Sequence, residues 1–336
     1  MPTIADVARL AGVSVSTVSY ALSGKRPIST PTRERVAEAI RQLGFSPHAG
    51  AQALASNRTD VIGLVVPLRA LETNSATVME VVTGVIAAAR THGDDVLVIT
   101  EDDVAAVQRL AAGSRVDALV LMDVERHDPR LPLLEAVRQP AVLIGVPSDT
   151  HGLACVDLDF SAAGRLAVQH LGGHGHTGVA LLGAPASAVR RNANYAVRII
   201  GGFRGEAVRA GVRHTVVACE ATYPGAAAAV ERAFDEVEDL TAIVVHNEAA
   251  LPGVLEALAR RGLSVPDDVS VLAVSPRGLA EHLAVPLSVI DVPSVEIGRI
   301  AVAMAVERED EPMPAETRLL APVLTENGSC AAPPAR

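Results

Sequence analysis

The stretch TIADVARLAGVSVSTVSYALS, residues 3–23, carries two short helical patterns separated by a glycine. Thr3 with Asp6 three residues on is a capping-box-like start, an acid standing where Glu or Gln is usual, and Ile4, Val7, Ala8 and Leu10 follow as an apolar stripe at helical spacing. Gly12 ends that helix. Ser14 can cap the next, in which Val15, Val18 and Leu22 face one side while Ser16, Thr17, Ser19, Tyr20 and Ser23 point elsewhere. A third helix is predicted from about Pro31 or Thr32 to Leu43, with Val36, Ala39, Ile40 and Leu43 inward and Arg33, Arg35 and Arg41 outward. Pro31 suits its first turn and Gly44 stops it.

Outward from this small helical unit the texture changes twice. Residues 47–60, beginning at Pro47 and running through HAGAQALASNRTD, hold too few large apolar side chains for a core and read as a linker that is helical only when supported. From Val61 onward, Val/Ile/Leu runs at 61–66, 96–99, 116–122, 141–144, 179–182, 215–218, 242–245, 269–274 and 287–290 alternate with Ala-rich helical stretches. Continuous apolar runs of strand length are what parallel strands buried on both faces require, and the alternation predicts an α/β chain of two doubly wound sheets. A cleft between them is the expected ligand site. The tail GSCAAPPAR reads as a disordered end.

Length and charge agree with this division. The 336 residues suggest about two domains and a small appendage at roughly 150 residues per domain. The net charge of -10 argues at first against nucleic acid, since phosphates are neutralised by Lys and Arg. Residues 1–60, however, hold seven basic against four acidic side chains, a net +3, which leaves -13 for the other 276. A basic head on an acidic body points to nucleic acid at the basic end. Aromatic residues are only 2% of the chain, which disfavours single-strand readers that need stacking platforms. Cys155, Cys219 and Cys330 are odd in number and widely spaced, which fits a reducing, cytoplasmic setting. Neither a secretory signal nor a run near the ~18 apolar residues of a membrane span is visible, so no membrane partner is expected.

At this point the residues carry a family resemblance. TIADVARLAGVSVSTVSYALSGKRPISTPTRERVAEAIRQLGFSPHAGAQAL resembles the DNA-binding head of LacI/GalR-family transcriptional regulators, and VIGLVVP, VDALVLM, GHGHTGVALLG, GFRGEAVRAG, HNEAAL and GLSVPDDVSVLAV follow in that family's order along essentially the whole chain. The resemblance implies a helix-turn-helix head (1–46), a hinge (47–60) and a periplasmic-binding-protein-like type I core (61–336), its subdomains being about 61–158 with 291–320, and 159–290. It implies a repressor that binds double-stranded palindromic operator DNA as a homodimer and is switched by a small-molecule effector, with no cofactor. Val15, Ser16 and Tyr20 would read base edges from a recognition helix capped by Ser14, and Thr3, Thr17 and Ser19 would hold phosphates, with Lys25 and Arg26 completing the basic surface. Tyr20 stands where Arg or His is common, and a phenol cannot form the bidentate pair with guanine. In the hinge, Leu54 would wedge into the minor groove, while His48 and Gln52 depart from the family's usual Asn and Arg. Bland alternatives stay open: Tyr20 packed on the head surface, and Leu54 as a small-core residue.

The effector residues are where the chain departs most. Sugar-binding members typically place an Asp and aromatics after the first core strand; here that stretch is LRALETNSATVM, and Ser275 and Pro276 replace the Asp that usually follows 269–274. Asp159 and Asn247 match family positions. Either the ligand is of a different kind, or the cleft is read by Arg69, Arg191, Asn192, Asn194, Tyr195, Arg198, Asn247 and Ser275 in a rearranged way alongside Asp159, or there is no small effector; a sugar or related metabolite is favoured only by family habit, and a stacked sugar is poorly provided for.

Two motifs tempt otherwise. Gly173, Gly175 and Gly178 spell GxGxxG, but after a helix and before a strand, the reverse of the dinucleotide order. His170, His174 and His176 form HxxxHxH with no carboxylate or cysteine nearby in sequence, so no metal is expected. No GxSxG, HExxH or P-loop occurs, so no catalytic residue is assigned. An α/β enzyme and a DNA-binding regulator without an effector remain the alternatives.

Overall fold

A computed structural model describes residues 2–23, 26–45, 58–66, 75–101, 103–113, 115–310 and 315–335. The head is three helices, α1 (Ile4–Ala11), α2 (Val15–Ser23) and α3 (Thr30–Leu43), closed over a small core of Val7, Ala8, Ala11, Val18, Val36 and Ala39. Gly12 and Gly44 adopt left-handed φ of 65° and 58° at the ends of α1 and α3, where any side chain would be strained. Leu10, in the apolar stripe of α1, is 50% exposed, and Val15, at the start of α2, is 46% exposed.

The remainder forms two six-stranded sheets. In the first, β1 (Val61–Val65), β2 (Asp95–Ile99), β3 (Ala118–Leu121), β4 (Ala141–Ile144) and β5 (Ala154–Leu158) are joined by β11 (Thr317–Leu320), in the order β11-β5-β4-β3-β1-β2, every pair parallel. In the second, β6 (Gly178–Gly183), β7 (Arg213–Ala218), β8 (Ala242–Val245), β9 (Ser270–Ser275) and β10 (Ser288–Asp291) run parallel, and β12 (Leu324–Thr325) adds antiparallel to β10. The chain passes between sheets after β5, after β10 and between β11 and β12. Strands β5, β11 and β12 were not anticipated: ACVDL carries Asp157, TRLL is short and half exposed, and β12 is two residues long.

Helices cover the sheets, and two pairs approach closely. Helix α4 (Ser75–His92) packs on α13 (Ser294–Asp310), and α7 (Phe160–Gly173) packs on α9 (Asn194–Ala210). Both contacts are made through glycine: a Cβ at Gly84 would overlap the Val295 carbonyl, and one at Gly202 the Ser161 carbonyl. The C-terminal segment, expected to be disordered, is pinned along the second sheet instead. Ser329 is fully buried, its Oγ donates to the Val271 carbonyl and accepts from the Ser288 N–H at 2.7 Å, and the Ala331 N–H donates to Ser270 Oγ at 3.0 Å. Small side chains let this segment lie flat against the strands, which local composition alone does not show.

Candidate functional site

Two features stand out, the exposed face of the head and the cleft between the sheets. In the head, Thr3 and Asp6 close a reciprocal cap on α1: the Thr3 N–H donates to Asp6 Oδ2 at 2.9 Å, and the Asp6 N–H donates to Thr3 Oγ1 at 3.4 Å. These bonds from Thr3 hold the Asp6 carboxyl below its usual range. Ser14 caps α2, its Oγ accepting from the Thr17 N–H at 3.1 Å and lying 2.8 Å from Thr17 Oγ1. With Val18 turned fully inward, Val15 and Ser16 are left exposed and Thr17, Ser19 and Tyr20 half-buried along one face of α2. The Arg26 guanidinium sits 5.2 Å from the Tyr20 ring centroid, so the phenol that replaces the more usual basic residue brings a cation with it. Lys25, His48, Gln52 and Leu54 lie outside the described residues.

The cleft opens at the carboxyl ends of the strands of both sheets, where open α/β folds bind ligands, and encloses about 170 Å³. One wall carries Asp123, after β3, and Asp157, at the end of β5; the other carries His246 and Asn247, directly after β8. Phe160 and Tyr195 stand between them. The rings of Phe160, Tyr195 and His246 form a mutual cluster, with centroids 5.5 Å apart for Phe160 and His246, 5.7 Å for Tyr195 and His246, and 6.2 Å for Phe160 and Tyr195. An aromatic platform is thus present in a chain with only three Tyr and four Phe, contrary to what composition suggests. Composition counts rings but cannot show that residues 160, 195 and 246 converge.

The polar groups fall into those that face the cleft and those that brace it. Arg191 donates to Asp123 Oδ1 at 2.7 Å and approaches Glu125 at 3.6 Å. Arg198 reaches Asp157 Oδ2 and Asp159 Oδ1, each at 3.2 Å. The Arg191 pairs and the Arg198–Asp157 pair cross from one lobe to the other. A third crossing is the hydrogen bond from the Thr77 hydroxyl to Glu248. A buried bidentate pair, Arg130 with Asp128, lies below, and Arg130 Nη2 also donates to the carbonyls of Met122 and Asp123, fixing the loop that presents Asp123. Burial pushes the Asp157 carboxyl up to about 7 against the opposing charge of Arg198. Burial drives the His246 imidazole down to about 4, and its Nδ1 has no hydrogen-bond partner among the described residues.

Of the residues picked from sequence, Asn194, Tyr195 and Asn247 line the cleft. Asn194 spends both ends of its amide on the Val146 backbone, and Asn247 Nδ2 donates to the Cys219 carbonyl at 2.6 Å. Asp159, Arg191, Arg198 and Ser275 lie behind the lining: Asp159 caps α7 by accepting from the Ala162 N–H at 3.0 Å, and Ser275 is fully buried and donates to the Pro276 carbonyl. Asn192 is exposed at a left-handed φ of 59°, its carbonyl accepting from the Arg126 N–H at 2.8 Å. Arg69 lies outside the described residues. Sequence reasoning missed Asp123, Asp157, Phe160 and His246. A usable signal existed for His246, which adjoins Asn247 just past a strand end.

Comparison with known proteins matches both features. Residues 3–48 fit the model of bacterial regulatory proteins of the lacI family, and residues 168–330 fit a periplasmic binding protein-like domain. The chain is 31% identical to the HTH-type transcriptional regulator CelR of Thermobifida fusca over 91% of its length and 92% of that protein. It is 30% identical to the ribose operon repressor of Escherichia coli K12 over 98% of this chain and all of that one. The solved complex of CelR with cellobiose superposes with a TM-score of 0.70 at 28% identity, covering 98% of this chain and 100% of that chain. The lac repressor dimer bound to operator shares the fold, with a TM-score of 0.84 at 24% identity over 98% of this chain and 99% of that one. These relatives are regulators of transcription, and among the described residues no helix is long and apolar enough to cross a membrane. The chain belongs to the LacI family of bacterial regulatory proteins and is a DNA-binding transcriptional regulator, not an enzyme.

Proposed function

We propose that this regulator is a repressor that binds a palindromic operator as a homodimer and releases or tightens on it when a neutral polyhydroxy metabolite, of the sugar class, occupies the cleft. Residues 1–46 would form the reading head, 47–60 the hinge and 61–336 the core, divided into 61–158 with 291–320, and 159–290. Ser14, Val15, Ser16, Thr17, Ser19, Tyr20, Arg26 and Thr3 would face DNA, together with Lys25 and the hinge residues His48, Gln52 and Leu54.

The observation that carries the effector class is the pairing of an aromatic cluster with acids whose arginines are already engaged. Asp123 and Asp157 face the cleft, while Arg191 and Arg198 are committed to them from behind. An anionic ligand would meet carboxylates and would have to strip an arginine from its partner. A neutral polyol can donate hydroxyls to Asp123, Asp157 and the unpaired His246 Nδ1 while its apolar face rests on Phe160 and Tyr195. Relatives agree: one is solved with cellobiose and another is named for a ribose operon. The test is a thermal-shift panel of neutral sugars, cellobiose and ribose included, alongside phosphorylated sugars and purines, followed by gel shift on a selected palindromic duplex. A neutral sugar should raise the melting temperature and change operator affinity over the same concentration range. Binding confined to the anionic members would overturn the reading.

A further inference from the structure

The HxxxHxH motif is split by the fold. His176 is used structurally, its Nδ1 lying 2.8 Å from Thr241 Oγ1 and its Nε2 3.0 Å from Ser270 Oγ. His170, in the last turn of α7, and His174, the residue that caps it, instead meet edge-to-face with ring centroids 4.8 Å apart. The carboxylate that the motif lacks in sequence is supplied from the far end of the chain. Glu326, the residue after β12, places Oε1 3.6 Å from His170 Nδ1.

We infer that His170, His174 and Glu326 form a binding site for a divalent transition metal of the zinc class, clipping the C-terminal segment to the end of α7. One ligand atom from each of the three lies within 4.8 Å of the others. Tetrahedral zinc with bonds of about 2.0–2.1 Å separates its ligand atoms by roughly 3.3 Å, so the 3.6 Å from Glu326 to His170 is already near that value and the other separations, within 4.8 Å, need close only a little further. The His170 side chain is 10% exposed and turns Nδ1, the nitrogen that would ligate, towards Glu326. Glu326, more than half exposed, contributes the charge and leaves a fourth position to solvent. Two imidazoles and one carboxylate favour zinc, cobalt or nickel over magnesium or calcium, which take oxygen ligands.

The site lies away from the cleft lining and its test is separate from the effector test. The full-length chain, untagged and stripped with a chelator, is titrated calorimetrically with Zn²⁺ alone and then with Mg²⁺, and its melting temperature is recorded with each. One equivalent of Zn²⁺ per chain should bind and raise the melting temperature by several degrees, with no effect of Mg²⁺. His174→Ala and Glu326→Gln, both at accessible positions, should each weaken Zn²⁺ binding at least tenfold and abolish the shift, while circular dichroism and the response to a cleft ligand stay unchanged. Absence of a Zn²⁺ equivalent in the parent chain, or unchanged affinity in both variants, would overturn the assignment.

Discussion

His246→Phe tests the cost of burying an unpaired imidazole in the cleft wall. The imidazole sits in the cleft wall, 6% exposed, with Nδ1 unpaired among the described residues and its titration pushed down to about 4 by desolvation. The folded chain therefore keeps this ring neutral while the unfolded chain takes up a proton below the ordinary histidine value of about 6.5. Stability contributed by the neutral ring is complete above that value and is lost as pH falls from about 6.5 towards about 4. Integrated between the two values, the loss at pH 5 is about 2 kcal/mol relative to pH 8, and approaches roughly 3 kcal/mol below pH 4. Phenylalanine keeps the edge-on packing against Phe160 and Tyr195 and removes both the proton site and an unsatisfied buried nitrogen, which costs about 1–3 kcal/mol where it stays unpaired.

The expected outcome is unusual for a buried substitution. In urea unfolding at fixed protein concentration, the variant should be no less stable than the parent at pH 8 and should lead by about 2 kcal/mol more at pH 5. Comparing the two proteins matters because Asp157 works in the opposite sense. Its folded-state value, raised to about 7, makes stability fall as pH rises from the ordinary carboxyl range, and that contribution cancels in the difference. A gap between parent and variant that does not change with pH would refute the reasoning about His246, as would a loss above about 2 kcal/mol at pH 8, larger than typical overpacking by one ring atom.

Two further outcomes follow from the packing and the head. Gly202→Ala should destabilise by about 1–3 kcal/mol in thermal unfolding, since its Cβ would overlap the Ser161 carbonyl, whereas Gly201→Ala next to it meets nothing within 4 Å and should stabilise by up to about 1 kcal/mol. Equal effects at the two positions would mean the α7–α9 approach is not as close as it looks. Tyr20→Ala should weaken binding to a selected operator about tenfold and reduce the salt slope by about one, because the ring that holds Arg26 is gone, while Tyr20→Phe should retain the slope. Anisotropy titrations at several salt concentrations measure both, and an unchanged slope in Tyr20→Ala would detach Arg26 from phosphate binding.

Much of the architecture was legible because the signals are local. The capping pair Thr3 and Asp6, the glycine stops at Gly12 and Gly44, and runs such as ALVL at β3 and AIVV at β8 each depend on residues within one element. The family resemblance then located both the head and the cleft. What escaped is what depends on distance. Asp157 makes ACVDL look unlike a buried strand, yet it is buried because Arg198, forty-one residues on, meets it. Glu326 stands beside His170 only because β12 returns to the second sheet. Leu10 and Val15 have the right spacing for a core, but a three-helix unit this small has no partner to cover them.

The same distinction explains why the arginines were assigned to the ligand and are found behind the wall. Arg191 and Arg198 flank the cleft-lining Asn194 and Tyr195 in sequence, and a charged side chain there invites a binding role. In the fold each is spent on an acid from the other lobe, Arg191 on Asp123 and Arg198 on Asp157. Their effect on a ligand is indirect but definite. They hold the carboxylates in place as hydrogen-bond acceptors, and with Thr77–Glu248 and Asn194 on the Val146 backbone they are among the contacts that cross between the lobes. A ligand shifts a conformational equilibrium only by its differential affinity for the two states. One that binds Asp123 and Asp157 competes directly with Arg191 and Arg198 for the atoms that tie the lobes together. On the function proposed above, the cleft's charge arrangement would couple occupancy to lobe geometry without any longer pathway.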